Sequence, residues 1–570
     1  MKKLTALLMA AMLVLPSATG YAYNLPTPDW GALLKEKTAM VMQNDFDLYV
    51  EGNEENAPYY GAKFEPRYGA YIGMSADTAE DFLPLGCYLT YIESYYQNDL
   101  YYPSNTMVRQ GDVITMVGFN TESINNVDYD AVDKVLNMLN NYNKPIFVRF
   151  ANEMNCSSLG DDPELYVNTF RNVANLIHKY PNLAVVWSPN DIGALDKFFD
   201  YYYPGDEYID WIGVSCYTKK YFNNNPNTSY KDSIYFMTGD FGWATNKVKP
   251  IVDFMQKNNI NKPLMISEGG VATNNTFGDS YESNELWNTP RMRNMYWNLI
   301  MKYPQIKMIN YFNISRPYET ERYDISDYSY ASNIFKEAAS SGAYIRSLNG
   351  KPEFVYSKAE NGNTLKANKG IVNLYTLAYI PQKPNISINY KIDGVWFHSS
   401  NTIPYKCHFD VNSVTNGEHT LTIESEGLSK SYTLYRNGDF IRFGGAPVID
   451  VEEETTVISV LVNNNKLIFD QEPILENDRT LVPLRKIFET LGAAVTWDER
   501  TQTVTAVKGS KKILLTINSP EMYVNESKIT LDVPAQIRNS RTLVPVRAIS
   551  EALGCRVEWD GASKTVIIND

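Results

Sequence analysis

The chain is poor in histidine: four among 570 residues, at 178, 398, 408 and 419. Only His178 falls within the first 345 residues, inside a helical pattern from Tyr166 to Tyr180. A Ser-His-Asp triad or a histidine-based zinc centre therefore lacks its residues there. Cysteine is also sparse and odd in number, with Cys87, Cys156, Cys216, Cys407 and Cys555. Five cysteines in a chain of this length make no disulfide framework, and buried free thiols are the plainer expectation. Basic residues are in deficit, 52 Lys and Arg against 66 Asp and Glu, for a net charge of −14. Phosphate binding rests on clustered cations, so nucleic acid is excluded as the expected partner. No metal or other cofactor is expected.

Long apolar runs are confined to the N-terminus. Lys2 and Lys3 precede the apolar stretch Leu4–Leu15, too short to span a bilayer, and Gly20-Tyr21-Ala22 supplies small residues for cleavage. Residues 1–22 therefore read as a secretory signal; losing Lys2 and Lys3 takes the net charge from −14 to −16. The expected location is secreted, without a membrane span.

What the chain does have is carboxylates at strand ends. Pro145-Ile-Phe-Val-Arg149-Phe-Ala-Asn152-Glu153 and Lys262-Pro-Leu-Met-Ile-Ser-Glu268 are apolar runs introduced by Lys-Pro and closed by glutamate. Between Arg67 and Phe312 short apolar runs alternate with amphipathic ones. Eight strands are expected, at 68–73, 86–92, 112–119, 145–150, 183–187, 210–215, 263–267 and 306–311, with helices at 130–139, 163–179, 247–257 and 289–301. Eight strands with intervening helices favour a (β/α)8 barrel, whose catalytic groups stand at strand C-terminal ends. Two carboxylates there suffice for glycoside hydrolysis.

The domain reading is 1–22 signal, 23–345 barrel (with 23–66 an entry segment and loops), 346–448 an Ig-like β-sandwich, and 455–570 a tandem-repeat α+β domain. Six short strands between 370 and 435, with turns at Asp393-Gly394, Asn416-Gly417 and Asn437-Gly438, support the sandwich. Gly444–Glu454 reads as a linker. The repeat has a period of 62 residues: Arg479-Thr-Leu-Val-Pro483 returns as Arg541-Thr-Leu-Val-Pro545, and Trp497-Asp498 as Trp559-Asp560. Across 479–498 and 541–560, 13 of 20 positions are identical, which makes the duplication specific.

The repeat resembles the bacterial stalk module also known as the copper amine oxidase N-terminal domain-like module. The stretch contains no histidine, so copper is not supported by its residues. The barrel motifs, together with Tyr203-Pro-Gly-Asp206 and Asp210-Trp-Ile-Gly213, resemble clan A glycoside hydrolases, most of all family 26, over roughly 60–340. That resemblance implies Glu153 as acid/base, Glu268 as nucleophile, and Arg149 and Tyr217 as contacts to the nucleophile. Asn152 stands where family 26 usually has His, and elsewhere in the clan Asn there binds the sugar 2-hydroxyl. Trp187, Tyr217, Phe119 and Tyr311 end strands and are candidates for stacking on sugar rings. For Arg149 a purely structural role beside a barrel carboxylate stays open.

The expectation is a secreted retaining β-glycoside hydrolase, endo-acting on a mannan, β-glucan or xylan type of polysaccharide. The repeats would hold it to cell-wall or cell-surface glycan. The alternatives are a non-catalytic glycan-binding protein on a barrel scaffold and a transglycosylase.

Overall fold

The computed structural model describes residues 27–570 apart from 77–81, 83, 95–107, 109–110, 122, 192–197, 220–232, 235–241, 276–283, 315–320, 382, 384, 446–457, 464, 477–478, 539–540 and 561–563. The signal segment and most of the linker lie outside the described residues. The chain forms two compact units, divided between 447 and 448.

In the first unit eight parallel strands close into a barrel: β1 (Ala70–Ala76), β2 (Cys87–Ser94), β3 (Ile114–Thr121), β4 (Ile146–Phe150), β5 (Leu183–Trp187), β6 (Trp211–Thr218), β7 (Leu264–Val271) and β8 (Ile306–Asn313). Each pairs with the next, and β8 pairs with β1, so no edge is left open. Strand parity sorts the side chains. Cys87, Leu89, Met116, Phe147, Ala184, Val186, Trp211, Met265 and Met308 pack together inside the barrel. Their alternates face the helices. Helix Pro163–Ile177 shows why such a cover forms. Asp162 caps it by accepting from the Leu165 amide at 3.0 Å, Pro163 opens it, and Tyr166, Phe170, Val173 and Ile177 make its buried face. The lower pole of the barrel is plugged by Ala62 and Phe64, with Trp211 donating its indole N–H to the Lys63 carbonyl at 2.8 Å. The opposite pole carries the polar side chains.

A sandwich of a four-stranded and a six-stranded antiparallel sheet follows. Here one boundary needs correcting. Residues 45–52 were expected within the barrel's entry segment; instead Asp45–Gly52 is a strand of the sandwich, paired with Ile371–Tyr379 on one side and Val355–Lys358 on the other. Its apolar Leu48 and Val50, at 0% and 1% exposure, find their partners some 300 residues downstream.

In the second unit the duplication becomes a two-fold. The repeated segments pair antiparallel with each other, Leu481 opposite Pro545, Val482 opposite Val544 and Pro483 opposite Leu543. Arg479 meets Asp532 at 2.6 Å, and its counterpart Arg541 meets Asp470 at 2.7 Å, each bridge joining one repeat to the other. Helices Leu484–Thr490 and Val546–Leu553 cover the paired strands. No helix among the described residues is long and apolar enough to cross a membrane.

Candidate active site

Arg149 is the penultimate residue of β4 and points into the barrel, fully buried. A buried guanidinium requires partners for its donors. Nη1 donates to Glu268 Oε2 at 2.6 Å, Nε to Ser188 Oγ at 2.9 Å, and Nη2 to Ser215 Oγ at 2.6 Å. Ser188 in turn lies 2.7 Å from Ser267 Oγ. Arg149 therefore touches the ends of β5, β6 and β7 at once.

Glu268 reaches the mouth through an irregularity in β7. Met265 and Ser267 already point inward, and simple alternation would send residue 268 to the helices. The pairing with β6 shifts register between Val214 and Ser215, so that Ser215 faces Glu268 rather than Ser267. This extra residue re-aims Glu268 inward, as β-bulges do. Its carboxylate then receives Arg149 and Tyr91 on Oε2, the latter at 2.7 Å, and Tyr217 on Oε1. Burial alone would raise its carboxyl, but the Arg149 charge and the bonds from Tyr217, Arg149 and Tyr91 outweigh that and hold it below the ordinary range. Both phenols are pushed well up by burial and by the Glu268 charge, which keeps them as donors.

Glu153 stands three residues beyond β4 in a left-handed conformation, φ 57° and ψ 31°, with Ala151 also at positive φ. Such backbone costs on the order of 1 kcal/mol per non-glycine residue. It is held by the Glu153 amide donating to the Ser188 carbonyl at 2.8 Å. Among the described residues its side chain takes neutral donors alone: Asn190 Nδ2 reaches Oε1 at 3.1 Å, the Ser215 hydroxyl is a second donor, and Asn155 fixes Asn190 by two bonds of 2.8 Å. Burial, reinforced by the charge of Glu268, raises its carboxyl above the ordinary range against the opposing pull of Arg149. The two carboxyls are thus pushed in opposite directions, Glu268 toward its charged form and Glu153 toward its protonated form. Asn152 directly precedes Glu153, and its buried Oδ1 has no hydrogen-bond partner among the described residues.

The structure brings Glu153, Glu268, Asn152, Arg149 and Tyr217 together. It does not bring Trp187, Phe119 or Tyr311 to the mouth. Their exposures are 0%, 1% and 0%, and parity turns all three outward. Trp187 packs on Phe254 and Tyr203, Phe119 on Phe150, and Tyr311 on Tyr296, with its hydroxyl donating to the Val271 carbonyl. The stacking role expected for them is corrected on that ground. Tyr91, Ser188, Asn190 and Ser215 escaped the sequence reading. Counting by two from the interior residues Leu89, Val186 and Trp211 finds Tyr91, Ser188 and Ser215; nothing local marks Asn190.

A closed parallel barrel with a polarised pair of glutamates at the C-terminal mouth has the architecture of the glycoside hydrolases. Comparison with known proteins makes this specific. Residues 95–291 match glycosyl hydrolase family 26, and residues 461–568 match the copper amine oxidase N-terminal domain. The first match falls on the barrel and the second on the C-terminal unit. The second match contains one cysteine and no histidine, a donor set that does not fit copper. Curated relatives include the β-1,3-xylanase TXYA of a Vibrio species, 24% identical over 176 residues, or 29% of this chain and 32% of that protein. A β-1,3-xylanase of an Alcaligenes species is 25% identical over 24% of this chain and 25% of that protein. The chain thus spans about a third and a quarter of these relatives' lengths. Among solved structures, a family 26 β-mannanase from Bacteroides ovatus aligns with 58% of this chain and 98% of its own, at 13% identity and a TM-score of 0.35.

Proposed function

We propose that the protein is a retaining β-glycoside hydrolase acting within β-linked polysaccharide chains of the xylan, mannan or β-glucan type. The observation that carries this reading is the asymmetry of the pair in one mouth: Glu268 bonded by a buried guanidinium and two phenols, which favour its charged form, and Glu153 buried among neutral donors, which pushes its carboxyl up. Glu268 attacks the anomeric carbon while Glu153 gives its proton to the departing glycosidic oxygen. The covalent ester on Glu268 carries no charge, so the field that adds to burial in raising the Glu153 carboxyl disappears. Glu153 then takes a proton from the incoming water, whose oxygen displaces Glu268 and leaves the anomeric configuration unchanged. Arg149 and Tyr91, and Tyr217 on the other oxygen, hold the nucleophile's two oxygens in place. The unfilled acceptor on Asn152 suits a sugar hydroxyl at the cleaved bond.

The test is oligosaccharide release from β-1,3-xylan, β-1,4-xylan, mannan, mixed-linkage β-glucan and the producer's own exopolysaccharide. The native protein is run beside Glu153→Ala and Glu268→Ala. Release by the native protein alone supports the reading and identifies the substrate. Silence on every polymer with retained binding to one moves the assignment to a glycan-binding protein, and longer products would indicate transglycosylation.

We also propose that the enzyme is secreted and held to cell-surface glycan by its C-terminal unit. Trp497 and Trp559, equivalent in the two repeats, are 38% and 43% exposed and offer ring faces for stacking. Loss of wall association in Trp497→Ala/Trp559→Ala is the expected result; unchanged fractionation contradicts it.

A further inference from the structure

Behind Tyr217 lies a buried ion pair that the proposed chemistry does not use. Lys247 ends the wholly buried helix Ala244–Lys247, and its Nζ stands 3.2 Å from Asp191 Oδ2, the two side chains being 0% and 3% exposed. Lys247 Nζ also donates to the main-chain carbonyl of Tyr217. Asp191 belongs to the loop that follows β5. Its amide donates to the Ser215 carbonyl at 3.0 Å, and the Ser215 amide donates back to Pro189 at 3.0 Å, so the loop continues the sheet alongside β6. Cys216, buried between them, has its thiol pushed well up by burial and by the Asp191 charge, and is no competing nucleophile.

Burying two opposite charges is a poor way to gain stability, since apolar residues of the same volume serve as well or better. What this pair supplies is connection. Asn190, adjacent to Asp191, carries the amide that reaches Glu153 Oε1, and Tyr217 carries the hydroxyl that reaches Glu268 Oε1. One ammonium ties the main chain of the second arm to the loop of the first.

We propose that Lys247 and Asp191 are positioning residues that lock the loop bearing Asn190 to the strand bearing Tyr217, so that one device fixes the hydrogen bonds to both glutamates. This rests on Glu153 and Glu268 being the reacting pair, but its test needs no substrate. It is the titration of Glu268 in the full-length protein, followed through its labelled carboxyl carbon and assigned by its absence in Glu268→Gln. The groups facing that carboxylate are Arg149, Tyr91, Tyr217 and Glu153.

Lys247→Met is expected to raise the Glu268 midpoint toward that of Tyr217→Phe, and to add nothing further when combined with Tyr217→Phe. Asp191→Asn should move it in the same direction by less. With whichever polysaccharide of the panel proves to be the substrate, kcat should fall roughly 10- to 100-fold, the worth of one charge-assisted hydrogen bond, with KM little changed. A midpoint unmoved by Lys247→Met would overturn the proposal and leave the pair a purely structural role. A shift that persists undiminished in the Tyr217→Phe background would also overturn it, because loss of a nearby cation acts through space without Tyr217. Should Lys247→Met fail to fold, Lys247→Arg keeps the charge and changes the reach. The same rise is then expected, and an unmoved midpoint is again contrary. Absence of hydrolysis on every polymer would count against the proposed enzyme and leave this titration readable.

Discussion

The two glutamates occupy opposite kinds of ground. Glu268 sits on a barrel strand at a bulge and receives three donors, one of them a buried guanidinium anchored to three strands. Glu153 sits just beyond a strand on left-handed backbone and takes hydrogen bonds from two neutral donors, the Asn190 amide and the Ser215 hydroxyl. The first environment stabilises charge and over-determines position. The second disfavours charge and spends backbone strain to aim the side chain. In the proposed double displacement acid and nucleophile are the same residue type, and their surroundings separate the roles.

Substitutions can break this contrast, beginning with the nucleophile. Glu268→Gln leaves Arg149 buried without its counter-charge and should destabilise the barrel by about 3–5 kcal/mol, measured by denaturant unfolding, while abolishing hydrolysis. Because its folded-state carboxyl is depressed, the stabilisation Glu268 gives is present above the ordinary carboxyl range and lost as pH falls through its folded value. The difference between native protein and variant should therefore shrink on acidification.

Glu153→Gln should do the reverse for stability. Its folded-state carboxyl is raised, so the native protein loses stability as pH rises through that value. The variant should gain about 1 kcal/mol at neutral pH and nothing in acid. Activity on polysaccharide should drop by roughly 10²–10⁴-fold, and by less on aryl glycosides whose leaving group needs no proton.

The rate profile of the native enzyme should be bell-shaped, with Glu268 setting the acid limb and Glu153 the basic limb. Tyr217→Phe removes a donor to Glu268 and should move the acid limb up. Asn190→Ala removes a donor to Glu153 and should move the basic limb up. A reversed assignment would exchange which limb each variant moves.

The smallest change tests the packing under the nucleophile. A Cβ on Gly118 would come within 2.6 Å of the Tyr91 ring, whose hydroxyl serves Glu268. Gly118→Ala should reduce kcat by about tenfold, the worth of one hydrogen bond to a charged group, with folding retained; full activity would show that Tyr91 is dispensable.

Much of this was legible in the chain. Each expected barrel strand overlaps an observed one, and Leu183–Trp187 coincides end to end, because buried parallel strands write themselves as continuous apolar runs. Arg149 and Glu153 were visible as polar residues closing such a run. What stayed hidden depends on more than one segment. Asp45–Gly52 has no local sign of its partners beyond residue 350. The inward turn of Glu268 depends on a register shift against β6, and the misplacing of Trp187, Phe119 and Tyr311 came from reading strand ends without reading parity. The Lys247–Asp191 pair joins residues 56 positions apart that no motif connects.

The most direct test of the account is to find where the sugar attaches. The protein is incubated with a 2-fluoro glycosyl fluoride of the sugar that the polysaccharide panel identifies, and its peptides are mapped by mass. The account predicts a stable glycosyl ester on Glu268, absent in Glu268→Gln and formed more slowly without Tyr217. An ester on Glu153, or continued turnover with no covalent adduct anywhere, would contradict it.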